Sequence, residues 1–262
     1  VGDLIDTHCH LDLIDGPVDT ALAGARNAGV AAVITVGIGV SSSVQAVALA
    51  HEHHEVFATV GLHPHDARKW DDMVADELER LAGDERVVAV GECGLDYYRD
   101  LSPRDQQRKA FVAQIHLARR VGKALVVHIR EAAGEALAVL GEHAGGLSVV
   151  LHCFSAPEVL EECIERGYYI SFAGNVTYRN AGDLRGAVRR VPDERLLVET
   201  DAPFLTPVPY RGRPNRPERL VHTAALVAEM RGVDGRQLAE QTSANAQRAF
   251  GLSELWFGPP HL

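Results

Sequence analysis

Eight short apolar runs, each followed by a stretch with helical spacing, recur along this chain of 262 residues. The first leads through Leu4 and Ile5, with Val1 before them. The others cover residues 31–38, 56–62, 87–90, 124–127, 147–151, 168–172 and 195–198. Apolar residues spaced three or four apart predict helices over 18–28, 41–54, 71–82 and 104–121. Further helices are expected around Glu131 and Glu135, over 159–165 and over 184–190, with two more over 217–231 and 235–249. Strands without polar alternation are buried on both faces, and helices between them cover a parallel sheet. Eight such units predict a single domain over residues 1–262 with a (β/α)8, TIM-type barrel fold. An open doubly wound sheet is the other α/β architecture this pattern allows.

The residues that end the runs decide between the two. His8 and His10 close the first run, Glu92 the fourth, His128 the fifth, His152 the sixth and Asp201 the eighth. Residues two apart on a strand point to the same face, so His8 and His10 aim two imidazoles at one place and Cys9 away from it. In an open sheet with strands in simple order, His8 and Asp201 would lie far apart. In a barrel the first and eighth strands are neighbours, and the C-terminal strand ends form the active face.

Four imidazoles and two carboxylates exceed the needs of one catalytic ion. They suit two divalent metal ions ~4 Å apart, with one carboxylate bridging. Glu92 stands between the two halves of the set and is the expected bridge. His8, His10 and Asp201 would hold one ion, and His128 and His152 the other. Imidazole donors favour zinc or manganese. His51, His53, His54, His116, His143, His222 and His261 fall on predicted helices or at a terminus and read as surface or packing residues. Cys9, Cys93 and Cys153 each follow a proposed ligand by one position. Alternation turns them toward the helices as buried, inert thiols.

The net charge of −10 excludes whole-body attraction to nucleic acid, so any polyanion must be held by a local basic patch. Arg211, Arg213, Arg216 and Arg219 follow the last strand, among Pro207, Pro209, Pro214 and Pro217 that stiffen the segment. Arg211 and Arg213 are the expected substrate-phosphate contacts. The four cysteines form no CxxC pair, and no apolar stretch approaches the ~20 residues of a membrane span. With no secretory pattern at the start, a cytoplasmic protein is expected. Nothing in the sequence points to a membrane or to a stable protein partner.

Several stretches together resemble the TatD family of metal-dependent deoxyribonucleases, within the amidohydrolase superfamily. They are Asp6-Thr7-His8-Cys9-His10, Gly61-Leu62-His63-Pro64 and Gly91-Glu92-Cys93-Gly94-Leu95-Asp96-Tyr97-Tyr98. The series continues with His152-Cys153-Phe154-Ser155, Glu199-Thr200-Asp201-Ala202-Pro203-Phe204-Leu205 and Arg211-Gly212-Arg213-Pro214-Asn215. The resemblance implies a TIM-type barrel, a two-metal site described as magnesium-dependent, and hydrolysis of phosphodiester bonds in DNA. The expected substrate is single-stranded DNA, or RNA, cut exonucleolytically. By the same resemblance Asp201 takes the proton of the attacking water, beside Glu92. His63 is expected to touch the substrate phosphate or protonate the leaving oxygen. Two departures from the pattern lie off the ligands: Ile129 follows His128 where relatives carry Ser, and Ala156 stands where Gly is usual.

Two other functions fit the ligand set. One is a hydrolase of small amides, lactones or phosphoesters on the same barrel. The other is a non-catalytic metal-binding protein. The arginines after the last strand favour a polyanion over a neutral ester.

Overall fold

Runs of Val, Ile, Leu and Ala in this sequence do form strands, because β-branched side chains pack well on a pleated surface covered on both faces. A computed structural model describes residues 4–252; Val1 and His261 lie outside the described residues. The units follow in strict alternation: β1 (Leu4–Cys9), α1 (Val18–Ala28), β2 (Val30–Val36), α2 (Val40–Glu52), β3 (Val56–Val60), α3 (Asp72–Ala82), β4 (Val87–Asp96), α4 (Arg104–Val121) and β5 (Ala124–Arg130). Next come α5 (Ala133–His143), β6 (Val149–Leu151), α6 (Leu160–Glu165), β7 (Tyr169–Phe172), α7 (Gly182–Arg190) and β8 (Leu196–Val198), then α8 (Leu220–Arg231) and α9 (Gly235–Phe250). Short 3-10 turns fill several of the connections, including Pro64–Lys69 after β3 and Pro217–Arg219 before α8.

The eight strands pair in parallel in sequence order. The seam between β1 and β8 closes the barrel. Cys9 bridges Ala202 in parallel, the Asp201 amide donates to the His8 carbonyl at 2.9 Å, and the His10 amide donates to that of Ala202 at 2.8 Å. Asp6 strengthens this seam. Its carboxylate accepts from the backbone amide of Thr200 at 2.9 Å and from the Thr200 hydroxyl at 2.6 Å. Burial pushes Asp6 up to about 7, against those hydrogen bonds. The (β/α)8 barrel is therefore the fold, and the open-sheet alternative falls.

Two cores result. Every strand contributes to the inner one, through residues such as Ile5, Ile34, Phe57, Val126 and Leu197, and it also takes in Phe250 at the end of α9 and Leu252 just beyond. The outer core joins the strands to the helices, with Leu4, Cys9, Val127 and Phe172 against Phe111, Ile115 and Leu137. Leu4 and Cys9 share this outer layer although they stand five positions apart in the chain, an odd step that regular alternation would place on opposite faces. The register between β1 and β2 shifts between Asp6 and Cys9, and that irregularity resets the alternation just before the site. Among the described residues, no helix is long and apolar enough to cross a membrane.

Candidate metal and active site

β4 is ten residues long, the longest strand of the barrel, and its extension carries the centre of the site. Its register against β5 shifts between Val90 and Cys93, a bulge of the kind that re-aims side chains at barrel rims. Glycine is required on both sides of Glu92. At Gly91, with φ +136°, a Cβ would collide with the Val126 carbonyl; at Gly94, also with φ +136°, it would collide with the carbonyl of His128. The close approach of these backbones sets Glu92 in the middle of the barrel mouth.

The two oxygens of Glu92 face different neighbours. Oε2 lies 3.4 Å from His8 Nε2 and 3.9 Å from His10 Nε2. Oε1 lies 2.8 Å from His128 Nδ1, 2.9 Å from His152 Nε2 and 3.4 Å from His63 Nε2. Asp201 Oδ1 stands on the first side, 3.5 Å from His10 Nε2 and 3.8 Å from His8 Nε2. All seven residues expected at the chemistry, from His8 to Asp201 and with His63 among them, thus meet in one place. His63 comes closer to the ligand set than the sequence suggests, since its ring nitrogen, Glu92 and His128 form a group of donors within 4.8 Å of one another.

Three further residues escape sequence reasoning. Asp96, the last residue of β4, takes His128 Nε2 at 3.2 Å and His65 Nε2 at 2.8 Å on one oxygen. Glu199 lies 3.1 Å from His152 Nδ1 and accepts the Cys153 amide at 2.8 Å. A carboxylate on the far nitrogen of a histidine orients the ring and raises its basicity. Both carboxylates stand within the matched motifs, and Glu199 lies two positions before Asp201, a spacing that could have marked it. His65 carries no comparable signal.

The electrostatics fit a cation. Burial alone would raise Glu92, but the surrounding imidazoles of His152, His63 and His128 hold its carboxyl well below the usual range. Burial, with His152 stacked at a ring separation of 3.9 Å, lowers His8 and leaves it a neutral imidazole. Burial likewise lowers His63 to about 4. His8 is fully buried, yet neither of its ring nitrogens makes a hydrogen bond, nor does His10 Nδ1 or Glu199 Oε2. Unpaired polar atoms at this depth are costly. Against the effect of burial, the carboxylates of Asp201, Asp96, Glu92 and Glu199 raise His10, His128 and His152; the same negative field favours a divalent cation, which would displace the protons from those rings on binding.

A cavity of about 530 Å³ opens over these groups. Its lining departs from expectation in two ways. Arg99 and Arg130 line it, whereas Arg211 and Arg213 do not. Arg211 instead stacks its guanidinium on the Tyr178 ring at 4.2 Å. The segment holding them is tied back by Asn215, whose amide donates to the Pro203 carbonyl at 2.8 Å and whose side chain donates to that of Thr200 at 2.9 Å.

The second departure is Cys153. It lines the cavity, only partly buried, rather than packing behind the barrel. β6 has ended at Leu151, and Cys153 takes φ +44° in the turn beyond; strand alternation does not reach it. Cys9 and Cys93 do lie in the outer core, fully buried. Cys9→Ser and Cys93→Ser are expected to cost stability, on the order of 1–3 kcal/mol for a buried hydroxyl, in urea unfolding. Metal content measured on the same samples should not change, and loss of a metal equivalent would refute their placement.

The family model described as TatD related DNase matches residues 5–251. The chain is 36% identical over 257 residues to a protein named uncharacterized metal-dependent hydrolase YabD, from Bacillus subtilis, covering 95% of this chain and 100% of the relative. It is 38% identical over 242 residues to the 3'-5' ssDNA/RNA exonuclease TatD of Citrobacter koseri, covering 90% of this chain and 93% of that protein. The solved structure of YjjV, a TatD homologue from Escherichia coli K12, superposes with a TM-score of 0.90 at 30% identity, covering 95% of this chain and 98% of the other.

Proposed function

The chain belongs to the TatD family of metal-dependent hydrolases, enzymes that act on ester bonds, and from that premise we propose that it hydrolyses phosphodiester bonds in single-stranded DNA or RNA from an end, with two divalent cations. The observation that carries this reading is the division of Glu92, with Oε2 toward His8 and His10 and Oε1 toward His128, His152 and His63. A carboxylate with an imidazole cluster at each oxygen is what a pair of ions would need as a bridge. His8, His10 and Asp201 would hold one ion and His128 and His152 the other. The imidazole donors favour zinc or manganese, whereas magnesium prefers an all-oxygen shell. Bound there, the ions would lower the pKa of a water and polarise the phosphoryl oxygens.

The chain's own groups do the rest. Asp201 accepts a proton from the attacking water; it is ionised because His10 and the other imidazoles outweigh the effect of burial. The amide of His65 donates to His63 Nδ1 at 3.1 Å, which leaves the proton of neutral His63 on Nε2. That N–H faces Glu92 and is placed to donate to a phosphoryl or leaving oxygen. Asp96 and Glu199 keep the rings of His128 and His152 in place. Arg211 and Arg213, outside the cavity, would meet only a strand long enough to leave it.

Metal-loaded protein is expected to shorten end-labelled single-stranded DNA or RNA stepwise, and the product ladder reports both substrate and direction. Chelation should abolish the cleavage and added zinc, manganese or magnesium restore it. Turnover of a small ester without any cleavage of oligonucleotides would favour the small-molecule hydrolase instead. Cleavage that persists after complete removal of metal would refute the mechanism.

A further inference from the structure

The two sides of the cavity carry different chemistry. Arg130 is the last residue of β5 and Arg99 follows the end of β4 by three residues, and both line the cavity. Leu13 follows β1, and Phe204 and Leu205 follow β8; these line it too. In a closed barrel with strands in the order β1 to β8, β4 and β5 lie opposite β8 and β1. The guanidinium wall and the apolar wall therefore face each other across the mouth, with the carboxylates and imidazoles between them.

Each wall is built yet unengaged. Phe204 is 51% exposed and Leu13 43% exposed, large apolar surfaces on the rim of the site. The turn geometry holds Phe204 there, through its amide donating to the Asp201 carbonyl at 2.8 Å. Opposite, the guanidinium carbon of Arg130 sits 4.0 Å from the centre of the Tyr98 ring, a cation–π contact that leaves its N–H groups free for another partner. Arg104, Arg120, Arg166, Arg190, Arg231 and Arg236 each pair with a carboxylate. Among the described residues no such pair involves Arg99 or Arg130. In a protein of net charge −10, two unneutralised guanidinium groups on a cavity wall are sited for an anion brought by the ligand.

Resting on the nucleic-acid reading above, we infer that the cavity is a nucleotide-reading cleft in which Phe204, supported by Leu13, stacks a base beside the scissile linkage, while Arg99 and Arg130 hold a phosphate on the other side of it. The polymer would cross the mouth from the apolar wall to the guanidinium wall. Stacking on one phenyl face is tolerant of base identity, and guanidinium contacts to phosphate carry no sequence information. The cleft should therefore read the presence of a base and a neighbouring phosphate rather than a sequence.

The test compares wild type, Phe204→Ala, Phe204→Trp and the double variant Arg99→Ala/Arg130→Ala. The substrates are a short single-stranded DNA, the same DNA with an abasic residue at the end being cut, and bis(4-nitrophenyl) phosphate. Binding of fluorescent DNA to metal-depleted protein is followed by anisotropy, so one readout does not depend on turnover. Phe204→Ala should raise KM on normal DNA roughly tenfold or more and do little on abasic DNA; Phe204→Trp should keep the tight KM. The arginine double variant should flatten the log–log salt dependence of binding, by roughly 0.7 for each phosphate no longer held.

Equal effects of Phe204→Ala on normal and abasic DNA would overturn the stacking. A loss of bound metal in Phe204→Ala would instead make Phe204 a support for His10, whose ring it meets edge-on at 5.9 Å. An unchanged salt slope would overturn the phosphate contact. Wild type that hydrolyses the small diester but neither binds nor cuts DNA would reject the nucleic-acid reading, and this inference with it.

Discussion

Glu92→Ala is expected to lose both metal equivalents and to reduce phosphodiester hydrolysis by on the order of a thousandfold or more. The expectation follows from the position of one side chain. Glu92 is 3% exposed and contacts His8, His10, His63, His128 and His152. No other residue of the set touches both halves through separate oxygens. Removing a ligand from one side alone should be milder: His128→Ala should weaken mainly the ion that His152 also holds. Metal content by atomic emission, with activity on the same preparations, separates the two patterns. Glu92→Gln keeps the shape while removing the charge and guards against a simple folding defect. Retention of one full metal equivalent in Glu92→Ala would remove it as the bridge.

Asp201→Asn should behave in the opposite way, with metal largely retained and turnover lost by roughly 100- to 10,000-fold, the usual worth of a general base. Asparagine keeps an oxygen that can occupy the position of Oδ1, near His10 and His8, but it cannot accept the water's proton. The choice of substitution matters, because Asp201 has φ +55°. Asn and Asp tolerate this left-handed conformation, whereas Ala at the same place adds backbone strain to the loss of the carboxylate. A fall in kcat with little change in KM and near-normal metal content is the expected result. Full activity in Asp201→Asn would exclude it as the base, and loss of metal in parallel with activity would reduce it to a ligand.

Glu92 and Asp201 are both legible in the amino-acid sequence, and the reason is local. A strand end is marked by the change from an apolar run to polar residues, and His8, His10, Glu92, His128, His152 and Asp201 all stand at such changes. Helical spacing is equally plain for α1 and α4, whose ends at Ala28 and Val121 match those expected. The barrel follows from a long-range demand placed on local signals: His8 and Asp201 can share a site only if β1 and β8 are neighbours, and the seam between Cys9 and Ala202 makes them so.

What the sequence by itself determined, then, was the order of strands and helices, the closure of the sheet and the chemical types gathered at its mouth. Each depends on periodicity and residue type, which act within a few positions. The tertiary structure decided where alternation stops. The shifts at Asp6 to Cys9 and at Val90 to Cys93 arise because neighbouring strands must stay paired while a side chain is re-aimed, and the turn after β6 turned Cys153 into the cavity. It also chose among like residues. Asp96 and Glu199 stand inside the matched motifs, but nothing local assigns them a partner until His128, His65 and His152 are brought against them. Arg99 and Arg130, not Arg211 and Arg213, line the cavity because loops returning over a barrel mouth are placed by distant anchors such as Asn215 on Thr200. Such contacts join residues far apart in the chain, and no local pattern of side chains encodes them.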